Sequence, residues 1–305
     1  MTGVIDIGGT KLAAGILGVD GRIIGRQESP SAPERGFADA AARMCAMLRK
    51  ASQIAGGAIT GVGIASAGPV DPLTGLVGNV GTLPGWEGHN LKAPFETEFD
   101  VPVTVENDAA AAALAEAHWG SGRGARSFIY VTISTGIGGA VVIDGKLHRT
   151  GRGAHPEIGH QVIEASVDGP ACYCGARGCW ESLASGTAMA KWMNVEDAAT
   201  VCARAIGGDA LAQGAVDREA LYLGLGLANL VTLFGPNAIA LGGGVTKSWH
   251  LFAPRVLDVI RRCCTFYPMD DPRVTLASIG GDVVLAGAGL VWQQANSDDY
   301  GDNSI

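Results

Sequence analysis

The sequence lacks the features that would direct it to a nucleic acid. Basic residues are outnumbered, since 22 Lys and Arg stand against 30 Asp and Glu, and the formal net charge is −8. No cluster of Lys and Arg occurs anywhere in the chain. Nucleic-acid binding depends on clustered positive charge, so this composition disfavours a nucleic-acid partner.

Signals for secretion or membrane insertion are also missing. No signal peptide precedes the first strand-like residues, and we expect a cytoplasmic protein with no membrane partner. The longest uncharged apolar run, Leu227 to Val245, has about the length that a bilayer requires. Asn229, Pro236 and three consecutive glycines interrupt it. The run is better interpreted as a buried helix, a turn and a buried strand. The seven cysteines are an odd number and fit a reduced compartment.

The chain is nevertheless long and apolar enough for two domains. It has 305 residues, of which 47% are hydrophobic, and its 46 glycines indicate tight turns and close backbone approaches to a ligand. Strand and helix patterns alternate in two halves, and each half opens with a hairpin that has a glycine-rich turn. The sequence therefore predicts a duplicated α/β design with a ligand cleft between two lobes. The predicted helices cover about 37–54, 109–118, 182–193, 217–234, 249–263 and 282–295.

The domain boundaries follow from these patterns. We expect a small α/β domain at 1–118, completed by the C-terminal helix at about 282–295. A large α/β domain then covers 119–281 and carries a cysteine motif. The polar residues 296–305 are predicted to form a flexible tail.

Two glycine-rich turns have the form of phosphate-binding loops. In the first, DIGGTK, adjacent glycines let backbone N–H groups approach an anion, and Thr and Lys donate to phosphate oxygens. The second, STGIGG at 134–139, repeats the design in the other half. Either turn alone is also typical of an ordinary hairpin, but the pair predicts a phosphate chain held from both sides. The candidate residues of the first turn are Asp6, Gly8, Gly9, Thr10 and Lys11.

A candidate catalytic base lies where a strand meets a helix. Asp108 follows Glu106 and Asn107 at this junction. An isolated Asp there is most simply a helix N-cap. However, ligand sites of α/β proteins gather at the C-terminal ends of strands. A carboxylate in that position accepts a hydroxyl proton as phosphate is transferred to the oxygen.

The stretch from 157 to 182 contains a candidate metal site. His160, Cys172, Cys174 and Cys179 offer one nitrogen and three sulfur atoms, which suits a closed tetrahedral Zn²⁺ site. The rival interpretation is four unrelated buried residues. A closed coordination shell leaves no open position for chemistry, so a zinc ion here is structural.

Two acidic residues flank this cysteine motif. Glu157 lies just before His160, and Glu181 lies just after Cys179. Paired carboxylates with amide partners suit the adjacent hydroxyl groups of a sugar. For Glu181 alone, a solvated helix N-terminus is the simpler interpretation.

Taken together, the motifs resemble a known family. DIGGTK, END, STGIGG, EIGH, CYCGARGCWE and ALGGGV occur in this order across residues 6–245. They resemble the ROK family of repressors and sugar kinases, which belongs to the actin-like ATPase superfamily with its two-lobed, ribonuclease H-like fold. The resemblance covers nearly the whole chain. The cysteine motif joined to EIGH is its most specific part, and DIGGTK is shared more widely.

The resemblance implies an ATP-dependent hexose kinase that acts on a sugar hydroxyl, with the glucose 6-hydroxyl as the leading acceptor. It also implies Mg²⁺ with ATP, structural Zn²⁺ and a homodimer or homotetramer. Asp108 is similar to the family's catalytic base, and His160 is expected to bind zinc through one ring nitrogen and sugar through the other. The residues that resemble the sugar ligands are Asn107, Glu157, His160 and Glu181. Those that resemble further nucleotide ligands are Thr135, Gly136, Gly138, Gly243 and Gly244.

The choice of sugar stays open at this stage. His155-Pro156-Glu157 resembles the fructokinase branch, the N-terminal half resembles glucokinases, and Thr82 replaces a frequent Asn. Fructose or mannose is therefore the second candidate, and N-acetylmannosamine the third.

A sugar-responsive repressor or a non-catalytic sugar sensor is the alternative from another class. ROK repressors carry a DNA-binding region before the first strand. In this chain that strand begins by Gly3, so a kinase is expected. A sensor is expected to lose Asp108 or the phosphate-binding glycines, and both are present.

Overall fold

The computed structural model describes residues 1–266 and 273–297. The predicted flexible tail lies outside the described residues except for Asn296 and Ser297. The chain divides into two compact units. The first consists of Met1–Arg123, Gly145–His155 and the described residues from Ser278, and the second of Gly124–Asp144 and Pro156–Ala277.

The first unit contains a sheet built around the apolar strand that opens the chain. β1 pairs antiparallel with β2, β2 pairs antiparallel with β3, and β4 and β5 are added in parallel on the other side of β1. The strand order is β3-β2-β1-β4-β5. Every residue of β1 except Asp6 is buried, because both faces of this central strand are covered. The strands are β1 (Thr2–Ile7), β2 (Lys11–Leu17), β3 (Ile23–Pro30), β4 (Gly61–Ser66) and β5 (Val103–Asn107).

Four helices pack in this unit. Helix α1 buries Met44, Leu48 and Ala51 at helical spacing and ends at Gly56, whose φ of 75° is the left-handed conformation that glycine adopts readily. This agrees with the prediction for 37–54. Helix α2 was not predicted, because its seven residues are too few for a clear apolar period. The helices are α1 (Phe37–Ala55), α2 (Ala93–Phe99), α3 (Asp108–His118) and α9 (Val283–Asn296).

Helix α9 reaches the sheet through residues that have little or no side chain. A Cβ atom on Gly287 would lie 1.8 Å from the carbonyl oxygen of Ala111 in α3. A Cβ atom on Gly63 of β4 would lie 2.0 Å from the carbonyl oxygen of Ala288. The alanine-rich sequence of α3 and the glycines of α9 thus allow the backbones of these two helices to approach closely. This packing holds α3 in position where it follows β5.

The second unit repeats the strand order of the first. β6 pairs antiparallel with β7 and parallel with β9, which pairs parallel with β10. The order β7-β6-β9-β10 therefore matches β2-β1-β4-β5, and the predicted duplicated α/β design is confirmed. The strands are β6 (Ser127–Ile133), β7 (Ile137–Ile143), β9 (Ala238–Gly242) and β10 (Arg273–Leu276), and the two-residue β8 (Lys146–Leu147) follows the turn after β7.

The helices of the second unit correct two predictions. The helix predicted at 182–193 is two helices, because the side chain of Ser185 accepts a hydrogen bond from Ala188 N–H and starts a new helix. The helix predicted at 217–234 begins earlier, at a cap formed by the Asp209 carboxylate, and α6 was not predicted. The helices are α4 (Trp180–Ala184), α5 (Gly186–Met193), α6 (Ala198–Ile206), α7 (Ala210–Phe234) and α8 (Trp249–Cys263).

The long apolar run has the structure that its interruptions predict. Helix α7 ends at Gly235, which has a φ of 49°, and the fully buried β9 follows. Within 1–266 and 273–297, no helix is long and apolar enough to cross a membrane.

The close approach of α9 to α3 can be tested with two glycine substitutions in helices. Gly287→Ala should lower the free energy of unfolding by about 3 kcal/mol or more, because the new methyl group meets backbone that cannot move aside. Gly214 in α7 has open space around its Cβ position, so Gly214→Ala should raise the free energy of unfolding by about 0.5–1 kcal/mol through helix propensity. Urea unfolding measures both values. Equal effects of the two substitutions would contradict the close packing of α9.

Candidate functional site

The C-terminal edge of the first sheet brings two carboxylates together. β1, β4 and β5 are parallel, and their register places Asp6 level with Ala65, which is level with Glu106. Asp108 follows two residues after Glu106 as the first residue of α3. The negative charge of Asp108 acts on Asp6, so the two side chains lie close enough to interact electrostatically.

Burial makes both carboxylates more basic than usual. The pKa of Asp6 is raised from 3.8 to about 7, first by desolvation and then by the charge of Asp108, while Lys11 and Arg26 oppose the shift. Desolvation also raises the pKa of Asp108, against the Ala109 N–H and the charge of His155. A carboxylate with a raised pKa in a dry position is a stronger proton acceptor, as a general base requires.

The helix cap belongs to Asn107 rather than to Asp108. Oδ1 of Asn107 accepts hydrogen bonds from the N–H groups of Ala109 at 2.9 Å and Ala110 at 3.2 Å. Asp108 Oδ1 also accepts from Ala109 N–H at 2.7 Å. Because Asn107 already caps α3, the simple N-cap interpretation does not account for Asp108. The Nδ2 atom of Asn107 lies against Gly68, where a Cβ atom would come within 2.9 Å.

Two residues near this edge were not predicted from the sequence. Arg149 forms an ion pair of 2.7 Å with Glu106, whose side chain is 1% exposed and which also accepts a hydrogen bond from Asn107 N–H. His155 is buried and acts on Asp108 electrostatically. Both come from the segment Gly145–His155, far along the chain from the strand ends. The His-Pro-Glu motif gave a weak signal for His155, and nothing in the sequence pointed to Arg149.

The first glycine-rich turn is held by its own backbone. Gly8 N–H donates to the Lys11 carbonyl at 2.9 Å, and the Gly9 carbonyl accepts from Ser31 Oγ at 2.6 Å. A Cβ atom on Gly9 would lie 2.6 Å from Cβ of Thr82, so the second glycine is required by packing against the 68–92 loop. Thr10 and Lys11 are exposed and available to a ligand.

The second glycine-rich turn, at 134–139, forms a hydrogen bond with Glu181, one of the predicted sugar-binding residues. Ile137 N–H donates to Oε2 of Glu181 at 2.9 Å. A Cβ atom on Gly136 would lie 2.2 Å from the same oxygen, so only glycine leaves room for the carboxylate. Gly138 pairs with Thr132 across the β6–β7 hairpin. Glu181, the second residue of α4, is therefore a partner of the turn.

A cavity of about 700 Å³ opens beside this turn in the second unit. Thr135 and Gly244 both line it, so two predicted nucleotide-binding segments share one wall. Gly243 has a φ of 92°, and a Cβ atom there would lie 2.3 Å from the Ile133 carbonyl oxygen. The remaining lining residues are Ser134, Gly186, Thr187, Ala190, Lys191, Val195, Glu196, Asp197, Ala198, Ala199, Cys202, Val245, Lys247 and Ser248. This mixture of apolar wall and charged groups suits a nucleotide.

The four predicted metal ligands come together in space. One donor atom from each of His160, Cys172, Cys174 and Cys179 lies within 4.8 Å of all the others. Nδ1 of His160 is 3.4 Å from Cys172 Sγ, and Cys174 Sγ is 3.6 Å from Cys179 Sγ. Three thiols and one imidazole form the soft donor set that suits Zn²⁺, so the residues fit this metal.

The second ring nitrogen of His160 has a partner that was not predicted. Nε2 lies 3.0 Å from the hydroxyl of Tyr173, and the two rings meet edge to face. Glu157 is exposed immediately before the short 3₁₀ turn Ile158–His160. The position of Tyr173 between two cysteines gave no signal of this contact in the sequence.

Duplicated sheets with a glycine-rich hairpin in each, basic carboxylates at one sheet edge and a nucleotide-sized cavity define the class of actin-like ATPase proteins. The family profile described as ROK family matches residues 2–295, and the chain belongs to this family. It is 34% identical to the glucokinase of Streptomyces coelicolor over 93% of this chain and 95% of that protein.

Two solved structures are similar to this chain over nearly its whole length. The ROK hexokinase of Thermus thermophilus has a TM-score of 0.86 and 33% identity, with 97% of this chain and 99% of that chain covered. A ROK glucokinase of Streptomyces griseus, in complex with glucose and AMPPNP, has a TM-score of 0.79 and 32% identity, with 96% and 99% covered. The predicted family and α/β fold class are thereby confirmed.

The raised pKa of Asp6 predicts a pH-dependent stability. Between pH 4 and about 7 the folded protein keeps a proton on Asp6 that the unfolded chain has lost, so ionisation of this group destabilises the folded state as the pH rises. Asp6→Asn removes this effect. Relative to the wild type, the variant should gain up to about 4 kcal/mol of stability between pH 4 and pH 8.

Urea unfolding across this pH range measures the difference, and Asp209→Asn provides a control. Hydrogen bonding to Arg204 lowers the pKa of Asp209, so its carboxylate is ionised in both the folded and the unfolded protein above about pH 5. The stability difference between Asp209→Asn and the wild type should therefore stay nearly constant from about pH 5 to about pH 8. A pH-independent difference for Asp6→Asn would refute the buried, basic carboxylate.

Proposed function

We propose that the protein is an ATP-dependent hexose kinase that transfers the γ-phosphate of ATP to a sugar hydroxyl, with the glucose 6-hydroxyl as the leading acceptor. The environment of Asp108 is the main observation in support of the proposal. It is a desolvated carboxylate with a raised pKa at the C-terminal edge of a parallel sheet, and Asn107 already caps the adjacent helix. The glucokinase and hexokinase identity of the similar proteins supports the same reaction.

In the proposed mechanism, Asp108 takes the proton of the sugar hydroxyl. The hydroxyl oxygen forms a bond to the γ-phosphorus, and the bond from this phosphorus to the bridging oxygen of ADP breaks. Desolvation of Asp108 favours the transfer, because the proton neutralises a charge that is poorly solvated. Mg²⁺ bound to ATP would neutralise phosphate charge, and Asp6, near Asp108, is the candidate residue to face it.

The sugar and the nucleotide are assigned to separate sets of residues. We assign the sugar hydroxyls to Asn107 in the first unit and to Glu157, His160 and Glu181 in the second. The phosphates are assigned to the two glycine-rich turns, through Gly8, Gly9, Thr10, Lys11, Thr135, Gly136 and Gly138. The cavity beside Thr135 and Gly244 is the candidate place for the nucleoside, with Gly243 shaping its wall.

Several parts of the proposal depend mainly on the resemblance. Fructose, mannose and N-acetylmannosamine are the other candidate substrates, and a non-catalytic sensor or a repressor is the alternative function. We also propose that the protein forms a homodimer or homotetramer. Each chain is proposed to have a small domain, made of residues 1–118 and the C-terminal helix, and a large domain at 119–281. A cytoplasmic location is supported by the seven cysteines, all of which are unpaired.

A coupled ADP-release assay over a panel of hexoses tests the kinase function. Glucose should give the highest kcat/KM, and Asp108→Asn should lower kcat by about 10²-fold or more while it retains hexose binding, because the proton acceptor is lost. Asp209→Asn, at the cap of α7, is the matched control and should leave kcat unchanged.

Three outcomes would contradict the assignment. Near-normal turnover of a folded Asp108→Asn variant would rule out the base. A kcat/KM for fructose tenfold above that for glucose would reverse the order of substrates. Hexose binding by the wild type without any ADP release would favour the sensor.

We further propose that the His160 and cysteine cluster holds one structural Zn²⁺. The ion would fix Nδ1 of His160 and thereby leave Nε2 as the protonated nitrogen. Cys179 lies two residues before Glu181, whose Oε2 is bonded to the second glycine-rich turn. The cluster would therefore position both residues: His160 is one of its members, and Glu181 is two residues along the chain from Cys179.

Cys174→Ala should abolish the zinc content of about one ion per chain and weaken hexose binding by at least tenfold, with less effect on ATP binding. Metal analysis and titration calorimetry measure these quantities. Cys263→Ala, which removes an exposed cysteine outside the cluster, is the control and should keep zinc and affinity. A folded wild-type protein that contains no zinc and binds hexose normally would exclude the zinc proposal.

A further inference from the structure

Tyr173 contacts the one residue that the metal cluster and the proposed sugar site share. Its hydroxyl lies 3.0 Å from Nε2 of His160. Its ring meets the imidazole at a centroid distance of 5.0 Å and an interplanar angle of 83°. Nδ1 of the same imidazole faces Cys172 Sγ at 3.4 Å. Both ring nitrogens of His160 therefore have a partner within the protein.

The hydroxyl of Tyr173 lies within the electrostatic reach of the other proposed sugar ligands. The charges of Glu181 and Glu157 both act on it. A phenol keeps its proton at physiological pH. A neutral hydroxyl that bonds to His160 near two carboxylates is in the chemical environment that a sugar hydroxyl would have.

The rest of the side chain is poorly held. Tyr173 is 82% exposed. The ring can rotate into water with little loss of buried apolar area. The contact with His160 is therefore weak enough to be exchanged for a contact with a ligand.

We propose that the Tyr173 hydroxyl occupies the sugar's hydrogen-bonding position on His160 Nε2 and that a hexose must displace it to bind. The inference rests on the proposed function, because it takes His160 as a sugar ligand. A ring N–H makes one well-aligned hydrogen bond in the ring plane, so the phenol and a sugar hydroxyl compete for it. Tyr173 thereby sets the affinity for sugars that use His160 and leaves other sugars unaffected.

Tyr173→Phe removes the competing hydroxyl and keeps the ring. In titration calorimetry without ATP, the variant should bind glucose roughly 2- to 10-fold more tightly, which is the effect of one net hydrogen bond. The KM for glucose should fall by the same factor, and kcat should not change. Tyr222→Phe removes a hydroxyl that donates to Glu164 at 2.8 Å in the same unit and is the matched control, with no change in glucose affinity.

A series of monodeoxyglucoses separates competition from a general structural effect. Tyr173→Phe should tighten binding of every analogue except the one that lacks the hydroxyl bonded to His160. Uniform tightening of all analogues would overturn the proposal, as would unchanged or weaker binding of glucose. Zinc content is measured for each variant, and a loss of zinc in Tyr173→Phe would also count against a displaceable contact.

The wild-type titration distinguishes this inference from the proposed function. If the wild type neither binds nor phosphorylates any hexose, both the kinase function and the role of Tyr173 are wrong. If the wild type binds glucose and Tyr173→Phe fails to tighten it, only the role of Tyr173 is wrong.

Discussion

The hydrogen bond from Ile137 N–H to Oε2 of Glu181 is the interaction on which the second unit's chemistry depends. It ties helix α4 to the β6–β7 hairpin, and it explains why Gly136 must lack a side chain. Glu181 is also two residues from Cys179 of the metal cluster. A single carboxylate therefore links a glycine-rich turn with a proposed sugar site and a proposed metal site.

In the first unit the corresponding constraint is desolvation. Asp6 and Asp108 are partly buried near each other at a sheet edge, and this desolvation raises the pKa of both. The same closeness of packing brings Gly287 against Ala111 and so fixes α3, the helix that begins with Asp108.

Nε2 of His160 is a single position that two partners could use, the hydroxyl of Tyr173 and the proposed sugar. Under the proposed zinc ligation through Nδ1, Nε2 would be the donor, and the phenol of Tyr173 lies 3.0 Å from it. The exposure of the Tyr173 ring favours displacement, since little packing is lost when it leaves.

The sequence by itself determined the fold class, most of the strands, the four metal-ligand candidates and the position of Asp108 at a strand end. These features depend on short-range patterns: alternation, helical period, glycine at tight turns and cysteine spacing. The helices α2 and α6 were missed because seven and nine residues carry too little periodicity. Only the tertiary structure decided that Arg149 pairs with Glu106, that Ile137 donates to Glu181 and that Tyr173 reaches His160. The first two contacts join residues far apart in the chain, and all three depend on the angle at which a loop or helix leaves a sheet. That angle is fixed by packing over the whole unit, which no local pattern records.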